Sequence, residues 1–212
     1  MLESRARTPR PPLRRTQAER RAATRAALVR ATVESLVELG YAHTTTQEVQ
    51  RRAGVSRGAL THQFTSKLDL LIAAVDHLYE EFSGSVRQAA AELPADPASR
   101  IRLGIELVWD RFHGPLFVAA MELWIAARTD AELRAALLPH ERRLGAQLRE
   151  LAAEVFGEQV ARHPKSEAMY QVLLTSMRGQ ALTFLLQPDA PRDGQYLRHW
   201  LAIVEAFTPP GP

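Results

Sequence analysis

The chain is organised around residues 45–67, which predict two short helices joined by a tight turn. Thr45 can cap the first helix, and Glu48 three residues later can complete a capping box. Gly54 tolerates the positive φ at which a helix ends, and Ser56 can cap the second helix. Two helices with a short glycine-containing turn form the helix-turn-helix unit, whose second helix can enter the major groove of DNA.

The outward face of the second helix follows from helical geometry. With Leu60 facing inward, a rotation of about 100° per residue turns Gly58 and His62 outward. An outward glycine adds no side chain, so the backbone can approach another surface closely. Arg57, Thr61 and Gln63 lie beside it, and these residue types suit base edges and phosphates. The alternative is a solvated polar face on a small helical hairpin.

The spacing of this stretch resembles that of one protein family. The pattern T-x-x-x-V-x-x-x-A-G-V-S-x-G-x-L-x-x-x-F-x-S-K, from Thr45 to Lys67, is similar to the DNA-binding domain of TetR-family transcriptional regulators. The resemblance is specific over residues 18–82 and only architectural beyond them. Gln50 departs from the alanine usual in the family, and Thr61 and His62 depart from its common aromatic residues, so some DNA contacts can differ.

The resemblance and the derived helix face together predict the DNA-binding residues. The expected set is Thr45, Thr46, Ser56, Arg57, Gly58, Thr61, His62, Gln63 and Lys67. Arg57 and Gln63 are expected at base edges, with Thr61 at a base or a phosphate. Thr46, His62 and Lys67 are expected to position the DNA backbone.

Composition excludes several classes of protein. The 212 residues include no cysteine, which excludes disulfides and thiolate metal sites. No run of 18 apolar residues and no apolar segment near the N-terminus is present, so neither a membrane span nor a secretory signal is expected. These absences predict a cytoplasmic protein.

Charge is spread unevenly along the chain. Residues 1–70 hold 13 Lys and Arg against 6 Asp and Glu, whereas residues 71–212 hold 14 against 18. A basic N-terminal third suits an anionic polymer as partner. Five of its arginines lie in a proline-interrupted leader that is expected to be disordered. The leader could reach DNA as a flexible arm or serve only solubility.

The predicted fold is all-α, with an N-terminal three-helix DNA-binding domain and a C-terminal helical domain for ligand binding and dimerisation. Its expected parts are a basic leader (1–16), the helix-turn-helix domain (17–65), a connecting helix (66–92), the ligand-binding and dimerisation domain (93–207) and a tail (208–212). Gly40 should stop the first helix, and Ser66 with Asp69 should cap the connecting helix.

The C-terminal half predicts helices throughout, over 98–112, 116–127, 130–156, 166–186 and 192–207. The 116–127 helix is apolar enough to be buried all round. Pro139 should kink or divide the third helix, and Ser166 should cap the fourth. The last two helices, 166–187 and 192–207, either close their own core or, as the resemblance implies, form a four-helix bundle with a second copy. We expect the homodimer, since two copies would read a palindromic site.

A ligand pocket is expected between the bundle and the connecting helix, because the family resemblance implies an effector site there. The candidate residues are Trp109, Phe112, His113, Phe117, Met121, Trp124, Met177 and Phe184, with His113, Glu122, Arg128 or Arg178 as polar groups that could orient a ligand. Residues of these types line many apolar sites, although at helical spacing they are more often plain core. The expected effector is a hydrophobic or aromatic small molecule.

An enzyme is not predicted. The seven histidines show no HExxH spacing, and neither a phosphate-cradling glycine loop nor a GxSxG motif is present, so no metal site or cofactor is expected. A helical adaptor without sequence-specific DNA binding is a further possibility, suggested by Thr61 and His62. Helix capping, the outward Gly58 and the basic N-terminal third argue against the adaptor. The resemblance to TetR-family regulators implies instead a repressor that a small molecule releases from a palindromic operator.

Overall fold

The structure is a computed structural model that describes residues 16–187 and 195–207, and these residues form helices without any strand. The helices are α1 (Gln17–His43), α2 (Thr46–Ala53), α3 (Arg57–Gln63), α4 (Lys67–Ala91), α5 (Pro97–Arg111), α6 (Pro115–Ala127), α7 (Ala131–Phe156), α8 (Glu158–Ala161), α9 (Ser166–Leu186) and α10 (Gln195–Phe207). This confirms the all-α fold. The leader up to residue 15, the expected start of the last helix at 192 and the 208–212 tail lie outside the described residues.

Of the two predicted capping boxes, one forms completely and the other forms only in part. Ser66 accepts a hydrogen bond from the Asp69 backbone N–H while the Asp69 side chain accepts from the Ser66 N–H, so this capping box is confirmed. Thr45 accepts from the Glu48 N–H, at 3.1 Å. The prediction of a full box there was wrong, because the Glu48 carboxylate turns to Arg51 and Arg52 instead.

The first helix is kinked at Gly40 rather than stopped there. Gly40 has φ 75° and ψ 174°, and the chain returns to helix as far as His43. This backbone conformation is accessible essentially only to glycine. The kink aims the backbone N–H of Tyr41 away from the axis of α1, towards α6.

The DNA-binding domain folds around one small apolar core. α1, α2, α3 and the start of α4 contribute its buried side chains, which are Leu28, Val29, Ala31, Val49, Leu60, Phe64 and Leu70. Thr32 and Ser35 are also buried on α1, and each hydroxyl has a hydrogen-bond partner. This core sets the direction in which α3 faces.

Two further cores join this domain to the rest of the chain. One lies where the second half of α1 meets α4, α6 and α7, around Leu36, Leu71 and Leu123. The other joins the end of α4 to α5, α7, α9 and α10. α4 therefore contributes to all three cores, and α1 packs directly on α6.

Two expectations for the C-terminal half were wrong. α6 is not buried all round, because Ile125 is 65% exposed. Ser166 is the first residue of α9 rather than its cap, and its hydroxyl donates to the Ala161 carbonyl. Of the two effects expected of Pro139, division of the helix does not occur, since α7 continues from Ala131 to Phe156. Among the described residues, no helix is long and apolar enough to cross a membrane.

Candidate DNA-binding surface and ligand cavity

The core of the DNA-binding domain turns the polar side of α3 outward. Leu60 is buried against α1 and α2, and Phe64 follows it into the same core. On the opposite side, Gly58, Thr61 and His62 are exposed, as helical geometry predicted. Arg57, at the start of α3, is exposed as well.

An ion-pair network holds α2 in place beside α1. Arg52 reaches Glu38 on α1 at 2.7 Å and Glu48 on α2 at 2.6 Å. Arg51 and Arg52 both donate hydrogen bonds to Glu48, which lower the pKa of its carboxyl to about 2. These contacts keep Glu48 ionised and set the position of the turn that leads into α3.

Two surface grooves flank α3. One runs between α2, α3 and the start of α4 and is lined by Thr46, Gln47, Gln50, Arg57, Leu60, Thr61, Phe64, Thr65, Ser66 and Lys67. The other runs between α1 and α3 and is lined by Gln17, Ala18, Arg20, Arg21, Thr24, Ala59, His62 and Gln63. Gln47, Gln50, Arg20 and Arg21 line these grooves and were not among the predicted DNA-binding residues. The charge of Arg20 and Arg21 was visible in the sequence, but their position beside α3 was not.

Several of the predicted DNA-binding side chains already have partners within the chain. Thr45 and Ser56 cap α2 and α3, so their hydroxyls accept from backbone N–H groups. The Thr61 hydroxyl donates to the Arg57 carbonyl at 3.2 Å. The Gln63 amide donates to the Arg21 carbonyl on α1 at 3.3 Å, so Gln63 is turned toward α1 rather than outward.

Lys67 lies at the junction of α1 and α4. Its Nζ is 4.2 Å from the centre of the Tyr41 ring and donates to the Tyr41 carbonyl at 3.4 Å. Burial lowers the pKa of Lys67, and the charge of Asp130 partly opposes that effect. Lys67 also lines the groove between α2 and α3, so it borders both the junction and the outer surface.

A cavity of about 260 Å³ lies between α4, α5, α6, α7 and α9. Its lining residues are Phe82, Val86, Val108, Arg111, Phe112, Leu116, Phe117, Ala120, Met121, Trp124, Glu141, Leu144, Gly145, Leu148, Leu151, Ala152, Val155, Phe156, Tyr170, Leu173, Leu174 and Arg178. Four of the eight predicted ligand-binding residues are among them, namely Phe112, Phe117, Met121 and Trp124. The sequence therefore predicted the α5–α6 wall but missed the α7 wall.

The other four predicted pocket residues do not line this cavity. Trp109 packs on Trp200 of α10 with ring centres 4.6 Å apart, and on Phe184 of α9 at 5.9 Å. His113 also contacts Phe184, with ring centres 5.9 Å apart. Met177 is fully buried in the core shared with α10. These four side chains pack where α5, α9 and α10 meet, an arrangement that their spacing along the sequence does not reveal.

Besides the Trp124 indole N–H, the cavity has four side chains with polar groups: Arg111, Glu141, Tyr170 and Arg178. Trp124 connects two of them, since its Nε1 donates to the Glu141 carboxylate at 2.7 Å and its ring lies 4.7 Å from the Arg178 guanidinium. Burial raises the pKa of Glu141 and lowers that of Arg178. The sequence had also suggested His113, Glu122 and Arg128 as polar groups of the pocket, and none of the three lines the cavity.

Glu122 instead connects the cavity helix to the DNA-binding domain. It lies on α6, next to Met121 of the cavity wall, and accepts a hydrogen bond from the Tyr41 N–H at 2.8 Å. The Tyr41 hydroxyl donates to Asp130, the N-cap of α7, at 3.3 Å. The kink of α1 is therefore attached to two helices that line the cavity.

Comparison with known proteins agrees with this arrangement. Residues 28–74 match the family described as bacterial regulatory proteins, tetR family. The HTH-type transcriptional regulator CymR of Pseudomonas putida is 32% identical over 182 residues, which cover 85% of this chain and 89% of that protein. The chain belongs to the TetR family.

Solved structures share the fold over most of their length. The multidrug binding protein EbrR, complexed with ethidium, is 26% identical with a TM-score of 0.60, over 85% of this chain and 97% of that one. A TetR transcription regulator from Haloarcula marismortui is 22% identical with a TM-score of 0.66, over 88% and 96%. This TetR-family chain is therefore a DNA-binding transcriptional regulator, as its helix-turn-helix spacing predicted.

Proposed function

We propose that this TetR-family regulator acts in the cytoplasm as a homodimeric repressor, which binds a palindromic operator and is released when a small ligand enters the cavity. The observation that carries the proposal is the outward face of α3, where exposed polar residues surround Gly58 between two grooves. A short helix presented in this way fits the major groove, and basic side chains on both sides suit the flanking phosphates.

The side chains on this surface divide into base readers and phosphate contacts. Arg57 has the reach and the paired donors to bind O6 and N7 of guanine, and Thr61 lies one turn further along α3. Gln63 would bind a base edge once its amide has released the hydrogen bond to the Arg21 carbonyl. Thr46, His62 and Lys67 contact the backbone in this proposal, and Thr45 and Ser56 present the N-termini of α2 and α3 to phosphates. Arg20 and Arg21 add cations on the other side of α3.

Replacing Arg57 with alanine is expected to weaken binding to the operator by about 1–3 kcal/mol while leaving binding to shuffled DNA nearly unchanged, because a base-reading arginine discriminates between sequences. Fluorescence anisotropy with the DNA that flanks the gene, against shuffled DNA of equal length at two salt concentrations, measures both affinities. Arg102→Ala is the matched control, since Arg102 is an exposed arginine of α5, outside both grooves.

The anisotropy experiment can also contradict the proposal. An equal loss on both DNAs would make Arg57 a phosphate contact only. Equal and strongly salt-sensitive binding of the unmodified protein to both DNAs would show attraction by basic residues without sequence reading. That result would favour an adaptor protein over an operator-binding repressor.

Replacing Lys67 with alanine is expected to lower the free energy of unfolding by about 1 kcal/mol, because the cation–π contact with Tyr41 is lost. The same change should lower the slope of log affinity against log salt by about one, since an ammonium group has three donors and can also bind a phosphate. Urea unfolding and operator titrations at several salt concentrations measure the two effects. An unchanged slope would restrict Lys67 to the α1–α4 junction.

The proposed dimer uses α9 together with α10. Exposed residues recur on one face of α9 at helical spacing, at Val172, Thr175, Gly179, Leu182 and Leu186. Val172, Leu182 and Leu186 are large apolar residues on this face, and the opposite face of α9 is buried. Packing this face against a second copy would bury it in a symmetric four-helix bundle and place two α3 helices for two half-sites.

Release would follow from the attachment of the cavity helices to the DNA-binding domain. A ligand that separates the walls of the cavity displaces α6, and with it the Glu122 carboxylate that accepts from Tyr41. α4 contributes to the cavity and to the core under α3, so it tilts with the same movement. A shift of a few ångströms, of the size seen in helix movements of switching proteins, would take the two α3 helices away from the spacing of their half-sites.

A further inference from the structure

The walls of the cavity are suited to a flat apolar compound. Aromatic rings contribute on several sides, from Phe82 on α4, Phe112 and Phe117 around the α5–α6 turn, Trp124 on α6 and Phe156 on α7. The volume of about 260 Å³ is close to the lower end of the usual range for ligand pockets, about 300–1,000 Å³. A compound with one aromatic ring and a short chain fits this space.

The cavity has more hydrogen-bond donors than acceptors, and several of the donors have no acceptor in the part of the chain that the structure describes. Arginine can only donate, and within the described residues neither the Arg111 nor the Arg178 guanidinium has a hydrogen-bond acceptor or an ion pair. The Arg111 Nε and the Tyr170 hydroxyl are fully buried and unpartnered. Buried donors without acceptors cost free energy, so a ligand that supplies an acceptor to the cavity would be stabilised there.

The one carboxylate of the cavity does not balance these cations. Glu141 already accepts a short hydrogen bond from Trp124, and among the described side chains it forms no ion pair with Arg178. Burial favours the neutral form of Glu141 and raises its pKa, an effect that the nearby Arg178 charge only partly opposes. Two arginines therefore face at most one negative charge.

We infer that the ligand of this cavity is an apolar carboxylate, with its ring against the aromatic walls and its carboxylate accepting hydrogen bonds from the Arg178 guanidinium. Guanidinium groups bind carboxylates in pairs of parallel hydrogen bonds, which are strong where water is excluded. The inference rests on the proposed ligand site and names the chemical class that fills it. The alternative ligand class is a cationic compound bound by Glu141. Such a ligand is disfavoured, because it would place a third positive charge beside Arg111 and Arg178.

The first test compares three probes that differ only in the head group: 4-phenylbutyrate, 4-phenylbutanamide and 4-phenylbutylammonium. Calorimetric titration of the full chain should show the carboxylate binding about tenfold or more tightly than the amide, and the ammonium most weakly. Equal affinities, a preference for the ammonium or no binding of the carboxylate would each overturn the inference.

The second test changes the charges of the cavity. Arg178→Met keeps an unbranched apolar chain and should remove most of the preference for the carboxylate, whereas Arg128→Met, on an exposed arginine at the end of α6, should preserve it. Glu141→Gln keeps an acceptor for Trp124 and should strengthen carboxylate binding, because a nearby negative charge is removed. If Arg178→Met weakens the carboxylate and the amide equally, the guanidinium does not select the head group. Should that variant fail to fold, the head-group comparison and Glu141→Gln still decide.

The proposed ligand class and the proposed regulatory function are tested by separate experiments, so either one can be rejected without the other. Calorimetry measures head-group preference without DNA, and anisotropy measures operator binding without ligand. Operator binding with no preference for the carboxylate would reject the inference and leave the regulator in place. A clear carboxylate preference in a protein that does not select its operator would reject the proposed function and leave the ligand class in place.

Discussion

Replacing Gly40 with alanine is expected to lower the free energy of unfolding by about 3 kcal/mol. The backbone at φ 75° and ψ 174° lies in a region restricted to glycine, which costs other residues roughly 1–3 kcal/mol. A β-carbon there would also lie 2.8 Å from a Glu122 oxygen. The carboxylate would have to move and give up the hydrogen bond from Tyr41, and hydrogen bonds to charged groups contribute about 1.5–3 kcal/mol. Urea unfolding measures the change.

Gly84 supplies the matched control for this experiment. It is an exposed glycine within α4, and a β-carbon added there would meet nothing within 4 Å. Gly84→Ala should therefore leave stability unchanged or raise it by up to about 1 kcal/mol through helix propensity. A Gly40→Ala variant as stable as the unmodified protein would show that α1 does not need this kink.

Replacing Leu182 with glutamate is expected to convert the proposed homodimer into a monomer and to weaken operator binding by roughly a hundredfold or more. Leu182 is 40% exposed on the outer face of α9, and in the proposed dimer two copies would bring two buried carboxylates together. A monomer engages one half-site at a time and loses the gain of linked binding, which is on the order of 10²–10⁴. Sedimentation should report the 23.7 kDa mass of one chain instead of twice that value.

Ile125→Glu is the control for the dimer prediction. Ile125 is 65% exposed on α6 and lies outside the α9 face, so the same change of side chain there should leave the mass and the operator affinity unaltered. If Leu182→Glu remains a dimer, the α9 face is not the interface. If the Leu182→Glu variant is a monomer but binds the operator with unchanged affinity, binding does not depend on two linked half-sites.

The helix-turn-helix domain was predictable from sequence because its signals are local. A cap, a glycine with positive φ and two inward side chains occur within about twenty residues, and together they define the orientation of α3. The Ser66–Asp69 box could be predicted for the same reason. The Thr45 box could not, since Arg52 is held by Glu38, fourteen residues before it on another helix, and draws Glu48 away from its own cap.

The ligand cavity was only half predictable, because it depends on how distant helices face one another. The α5–α6 segment is conspicuous in the sequence for its aromatic residues, yet only some of them face the cavity. Trp109 and Met177 look equally suitable, yet Trp109 packs against Trp200 and Met177 lies in the core shared with α10. Glu141, the carboxylate beside the proposed ligand, lies on α7, whose sequence has the pattern of an ordinary amphipathic helix.

The position of Trp124 has a practical consequence. The indole N–H of Trp124 donates a hydrogen bond to Glu141, and the Arg178 guanidinium lies over the face of the ring. The fluorescence emission of an indole responds to the electric field around it. Trp109 and Trp200 lie against each other outside the cavity, so they contribute a more constant background. The protein thus carries an intrinsic optical probe, with which cavity occupancy can be followed in real time without a label.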